Sequence, residues 1–259
     1  MKTVVITEGT DGIGRGIARV HLARGERVVD IGTDKAKTEP GAWFLRADLD
    51  LIDENGRLID RLSPELDTID VLVLGARVQR SRHTETADGL ESYFELTYLS
   101  RFLLSRGLAG LLGRAAGPGG LNYCGAGCFG PPRWDGLQQR TQHHGRTAAI
   151  QAGILNAPLA VDFVGHHPAI RYVNYFPGTV ATSFAGDCDD AEAAQIDRLR
   201  VTGNPVETAV KEILPFLDSG SPGHPVAVSA RGAVLLDSHS SPPADARRLY
   251  DYTREVLAR

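Results

Sequence analysis

The stretch KTVVITEGTDGIGRGIARV, Lys2 to Val20, decides the fold. It opens with Thr3-Val4-Val5-Ile6-Thr7, a β-branched run of the kind found in a buried parallel strand. Gly9, Gly12, Gly14 and Gly16 follow, and Ile13, Ile17 and Val20 recur at helical spacing. Strand, glycine turn and helix in that order predict a dinucleotide site. Glycines let the backbone approach a pyrophosphate, and a helix start offers free N–H groups and the positive end of its dipole. The same residues also suit a strand-to-helix turn that binds nothing. Placement at the first strand of an alternating chain favours the site.

The rest of the chain alternates. Strands are expected at 27–32, 43–49, 70–74, 119–124, 170–175 and 226–229. Helices are expected at 52–62, 89–112, 141–164, 205–217 and 244–258, the 52–62 helix ended by Ser63-Pro64. The acidic stretch 181–203, with Asp187, Asp189, Asp190 and Glu192, reads as a lid. This order predicts one α/β domain over 1–259, a Rossmann-like doubly wound parallel sheet of about seven strands with helices on both faces.

Composition excludes several functions. A net charge of −4 with 23 % charged residues gives no basic face for nucleic acid. Three cysteines at unrelated spacings argue against a disulfide framework, and Cys124 with Cys128 are too few for zinc. No apolar run is long enough to span a bilayer, and the first strand starts at residue 3, which leaves no room for a signal peptide. The expectation is a soluble cytoplasmic protein with a small-molecule substrate, no bound metal and no membrane or nucleic-acid partner.

Thr7-Glu8-Gly9-Thr10-Asp11-Gly12-Ile13-Gly14 resembles the T-G-x-x-x-G-I-G cofactor turn of the short-chain dehydrogenase/reductase family. Asp48-Leu49 matches that family's adenine-side Asp, and Pro177-Gly178-Thr179-Val180 matches its nicotinamide-side segment. The tail ADARRLYDYTREVLA, 244–258, is similar to the retinol-dehydrogenase-like branch. The resemblance implies NAD(P)(H) held by Thr7, Gly9, Asp11, Gly12, Ile13, Gly14, Thr33, Asp48, Leu49, Gly75, Ala76, Pro177, Gly178 and Val180. NADP(H) is slightly preferred, although Gly32-Thr33 carries neither the family's Asp nor its Arg and Asp30 lies too early by register. A homodimer or homotetramer is implied as well, because the family's two long helices often bury a subunit interface.

The departures fall at the chemistry. Glu8 replaces the family's first glycine, where a carboxylate either faces the phosphates or turns to solvent. Leu74-Gly75-Ala76-Arg77 replaces Asn-Asn-Ala-Gly and puts Arg77 near the nicotinamide ribose, as a grip on an anionic ligand or as a rim cation. The family's Asn and Ser align with Thr97 and Gly125, and its Tyr-x-x-x-Lys with His143 to Thr147, or with Gln142 and Arg146 after a one-residue slip. No lysine lies between Lys37 and Lys211, and no tyrosine between Tyr123 and Tyr172. His143 is the candidate proton carrier because imidazole titrates near neutrality; a solvated residue at a helix start is the plainer alternative. Candidate catalytic residues are therefore His143, Thr97 and Arg77.

Three functions follow. The favoured one is non-redox acid/base chemistry on a small apolar, natural-product-like molecule: isomerisation, cyclisation, dehydration or ring opening. The second is an NAD(P)H-dependent ketone/alcohol oxidoreductase with a rearranged proton donor. The third is a catalytically silent binding partner.

Overall fold

The structure is a computed structural model, which describes residues 1–123, 130–138, 145–218, 225–229, 232–235 and 241–259. Eight strands form the main sheet: β1 Thr3–Thr7, β2 Arg27–Gly32, β3 Trp43–Arg46, β4 Val71–Leu74, β5 Gly119–Tyr123, β6 Arg171–Phe176, β7 Val226–Ser229 and β8 Gly232–Leu235. Their order is β8-β7-β6-β5-β4-β1-β2-β3. Seven strands run parallel, and β8 pairs antiparallel with β7, a strand the sequence reading did not expect. The four inner strands β1, β4, β5 and β6 are buried at every residue, as strands covered on both faces must be.

Four helices lie on one face: α2 Ile52–Glu65, α3 Ser100–Gly107 and, behind it, the pair α4 Gly145–Ile154 and α5 Asn156–His166. Leu58, Leu62, Leu104, Ala160 and Phe163 pack there against Val5, Leu72 and Tyr172. The other face is closed by α1 Gly12–Ala23 and α7 Val206–Asp218, with α6 Asp190–Thr202 before α7; α8 Pro243–Leu257 ends the chain and packs on α5 of the first face, where Leu249 and Val256 cluster with Leu155 and Leu159. Gly16 brings α1 close to α7, since a Cβ there would lie 2.6 Å from Val210. Against the expectation that no apolar run is long enough to span a bilayer, Gly145–His166 is long and apolar enough by composition, and 61 % of its window is buried inside this fold.

Two expected helices differ in extent, and the stretch 181–203, read as a lid, is built from a strand and a helix. The long helix 89–112 is interrupted: an α-turn at Ser92–Phe94 passes into a π-helical turn at Glu95–Leu99 before α3 begins. Within that turn the Thr97 carbonyl accepts a hydrogen bond from Asn156 Nδ2 at 3.2 Å, a partner outside the helix of the sort that accompanies π-turns. The stretch 181–203 is a strand Gly186–Asp187 paired with Gln79–Arg80, followed by α6 with Asp189 capping the Glu192 N–H. The helix α2 also runs past Ser63, with Pro64 in its last turn.

Candidate functional site

The chain leaves β1 toward β2 on one side and finds β4 on the other, so the sheet has its topological switch point at the C-terminal ends of β1 and β4, where ligands of such folds bind. Thr7 fastens the two ends together. Its Oγ1 accepts the Gly75 and Ala76 N–H groups at 2.8 and 3.2 Å and donates to the Val73 carbonyl.

A trough lies over this point. Its outer half, about 840 Å³ counted to the open mouth, is lined by Thr10, Gly32, Thr33, Asp34, Lys37, Asp48 and Leu49. Its inner half, about 680 Å³, is lined by Gly12, Ile13, Gly75, Tyr123, Pro177, Gly178 and Val180. Glu8, Asp11, Arg77, Val78 and Ala185 border both halves. Of the residues expected at a site, Asp11, Gly12, Ile13, Thr33, Asp48, Leu49, Gly75, Ala76, Arg77, Pro177, Gly178 and Val180 are therefore brought together.

Four others are not among the lining residues. Thr7 is spent on joining β1 to β4. Gly9 faces inward, where a Cβ would lie 2.3 Å from Asp30 Oδ1, and Gly14 backs onto the Glu8 carbonyl, 2.2 Å from where its Cβ would be. Thr97 is buried in the π-turn, and its hydroxyl has no partner among the described residues. His143, with Gln142, Cys124, Gly125 and Cys128, lies outside the described residues. Asp30 is completely buried within β2, where burial pushes its carboxyl up to about 7.

Glu8 turns away from solvent, against one of the two expectations for it. Its φ of 60° is the left-handed conformation that favours glycine. The side chain is half-buried and borders the trough, with its carboxyl on the side of the Arg77 backbone N–H. Burial, with Asp11 adding, pushes it up to about 8, while Arg77 and Arg101 pull the other way. Asp11 is tied down: Oδ1 caps the Gly12 N–H at 2.7 Å and Oδ2 accepts the Ser183 hydroxyl. The Arg77 guanidinium has no ion-pair partner among the described residues.

Two residues that the sequence reading passed over complete the inner half. Tyr123 projects from the end of β5 across Gly75, whose Cβ would lie 1.8 Å from the phenol oxygen, so the glycine and the ring are complementary. The phenol oxygen faces the Gly14 N–H, and burial first and Glu8 second push its pKa well up. Arg101, 2 % exposed on α3, donates to Asn122 Oδ1 and to the Ala76 carbonyl. Behind it Asn122 Nδ2 donates to Asn156 Oδ1 at 2.7 Å, and Asn174 Nδ2 donates to the Asn156 carbonyl at 2.9 Å. This buried amide network joins α3, β5, α5 and β6 beneath the trough. Its one sequence signal is that Asn122 and Asn174 stand opposite each other on adjacent strands.

The short chain dehydrogenase family model matches residues 2–119. A Streptomyces sp. (strain C5) protein described as a daunorubicin C-13 ketoreductase is 28 % identical over 195 residues, 70 % of this chain and 67 % of that one. Mouse retinol dehydrogenase 12 is 34 % identical over 116 residues, covering 40 % of this chain and 37 % of its own length. Among solved structures, a Mycobacterium paratuberculosis protein superposes with a TM-score of 0.74 at 18 % identity, over 99 % of this chain and 93 % of that one. Levodione reductase superposes at 0.66 and 15 %, over 88 % and 95 %. At these identities the structures share the fold. The chain is similar to the short-chain dehydrogenase/reductase family, through the family model over residues 2–119 and through the fold it shares with the solved structures; members of that family are oxidoreductases that generally bind NAD(P)(H). It spans well under half the length of the retinol dehydrogenase it matches.

Proposed function

We propose that the chain is an NAD(P)(H)-dependent oxidoreductase that interconverts a ketone and an alcohol on a small apolar molecule. The carrying observation is the trough of two adjoining halves across the switch point, bordered along its middle by the Arg77 guanidinium, which has no ion-pair partner among the described residues. The relatives' names, a ketoreductase and a retinol dehydrogenase, support ketone–alcohol chemistry and favour this reading over the non-redox one.

The residues fit a dinucleotide. Asp48 and Leu49 would flank the adenine, and Thr33 with Lys37 the adenosine ribose, Lys37 suiting the 2′-phosphate of NADP(H). The start of α1 at Gly12 and Ile13, with Arg77 opposite, would hold the pyrophosphate. Pro177, Gly178 and Val180 would wall the nicotinamide. When bound, the cofactor supplies or accepts the hydride.

Among the described residues Tyr123 is the one phenol bordering the trough, and it holds a proton at neutral pH because burial keeps it neutral. Arg101 is the cation whose charge acts on that phenol, and it is itself fixed by Asn122 and the Ala76 carbonyl. Tyr123 and His143 are thus the two proton-carrying candidates. Thr97 acts through its backbone carbonyl, which positions Asn156.

Incubating the purified protein with NADPH or NADH and a panel of apolar ketones tests this reading. Loss of reduced nicotinamide absorbance in step with ketone is expected. Substrate turnover with the nucleotide unspent would support non-redox chemistry, and absence of nucleotide binding at millimolar concentration would leave the silent-partner reading. Tyr123→Phe and His143→Ala separate the two proton carriers by which variant loses about 10²-fold or more in turnover.

A further inference from the structure

Glu8 stands where the two halves of the trough meet, beside Asp11 and Arg77, which also border both. A dinucleotide spanning both halves must lay its pyrophosphate across this residue. The backbone cannot swing it aside: the Glu8 N–H is bonded to the Ile31 carbonyl at 2.8 Å, and Gly14 is packed directly on the Glu8 carbonyl. Only the side chain is left to respond, and its carboxyl points into the switch point against the Arg77 N–H.

The ionisable groups that face it come from four elements. Asp11, on the same turn, is an anion; Arg77 after β4 and Arg101 on α3 are cations; Tyr123 on β5 is a neutral phenol. An ionised Glu8 would use up much of the positive field of Arg77 and Arg101, and it would meet two phosphate charges at short range in a partly dry cleft. A neutral Glu8 leaves that field to the ligand and can donate its own O–H to a phosphate oxygen.

We propose that this trough takes a dinucleotide only with the Glu8 carboxyl protonated, so that cofactor binding and proton uptake are one event. The proposal rests on the cofactor reading above and adds to it a binding step that pH controls through this chain's own residue. Since burial already holds the free carboxyl near 8, the ligand binds without hindrance at neutral pH and progressively less well above it. Between pH 7 and pH 9 the apparent affinity should fall about tenfold, the ratio of protonated fractions for a group of that pKa.

The test is calorimetric titration of NADPH into the whole chain from about pH 6 to pH 9, in two buffers of different ionisation enthalpy, which counts protons bound on complex formation. Wild type should take up close to one proton at the alkaline end and lose affinity there. Glu8→Gln should bind with no proton uptake and a flat pH profile. Glu8→Gly, which suits the left-handed backbone, should do the same and guards against a folding defect in the first variant. Flat wild-type affinity, or a slope that survives in Glu8→Gln, overturns the proposal and leaves the cofactor reading standing. Binding by Glu8→Gly with none by wild type at about pH 6 also overturns it, while showing that the trough is a dinucleotide site. No binding by any of the three overturns both.

Discussion

In the outer half of the trough Thr33, Asp34, Lys37 and Asp48 stand exposed at the surface. In the inner half Glu8, Arg101 and Tyr123 are enclosed together, and the state of each depends on the others. The outer half is an open recess lined largely by exposed polar side chains. The inner half is a rebuilt cluster, held by the Asn122–Asn156–Asn174 network and by the Gly75–Tyr123 fit. Substitutions in the inner half should therefore cost stability and couple to one another, and those in the outer half should alter ligand preference alone.

The largest effect should come from Arg101→Met. It removes the buried hydrogen bonds to Asn122 Oδ1 and the Ala76 carbonyl, and should cost about 3 kcal/mol in urea unfolding. A cost under about 0.5 kcal/mol would mean the inner cluster is not cooperative. Next is Gly75→Ala, which drives a methyl into the Tyr123 ring and should cost about 2 kcal/mol. Adding Tyr123→Val should recover most of that loss, so the double-mutant cycle should show strong coupling.

Stability should also fall with rising pH. Burial holds Asp30 and Glu91 at about 7 and Glu8 and Glu95 at about 8, above their ordinary carboxyl values. Between those ordinary values and about 8 the native chain keeps protons that the unfolded chain has released. Stability is thus highest on the acid side and is lost as pH rises toward 8. Urea midpoints measured at about pH 5.5 and pH 8 check the sign, and Glu8→Gln with Glu95→Gln should flatten the slope. The smallest effect belongs to the outer half: Lys37→Ala should weaken NADPH about twofold to fivefold and leave NADH nearly unchanged, the size expected of an exposed charge. Equal weakening of both nucleotides would remove Lys37 from the 2′-phosphate.

What the sequence made legible is local. The β-branched run Thr3–Thr7, the glycine turn and Pro177-Gly178 each declare themselves within a few residues, and their elements fall where the periodicity puts them. The π-turn at Glu95–Leu99 was hidden because one inserted residue barely disturbs an apolar helical period. The β8 strand is a four-residue apolar run with no alternation to mark it. Tyr123 and Arg101 were invisible as site residues because their roles arise from packing between strands and helices far apart in the chain. Glu8 could be seen to depart from the family's glycine, but its direction depended on Arg77, nearly seventy residues away.

The claim on which all of this rests is that the trough passes a hydride. NADPH carrying deuterium at the nicotinamide C4, mixed with the protein and a ketone that it consumes, should yield an alcohol labelled at the former carbonyl carbon. An unlabelled product, formed while the reduced nucleotide stays intact, would contradict the account and return the chain to non-redox chemistry.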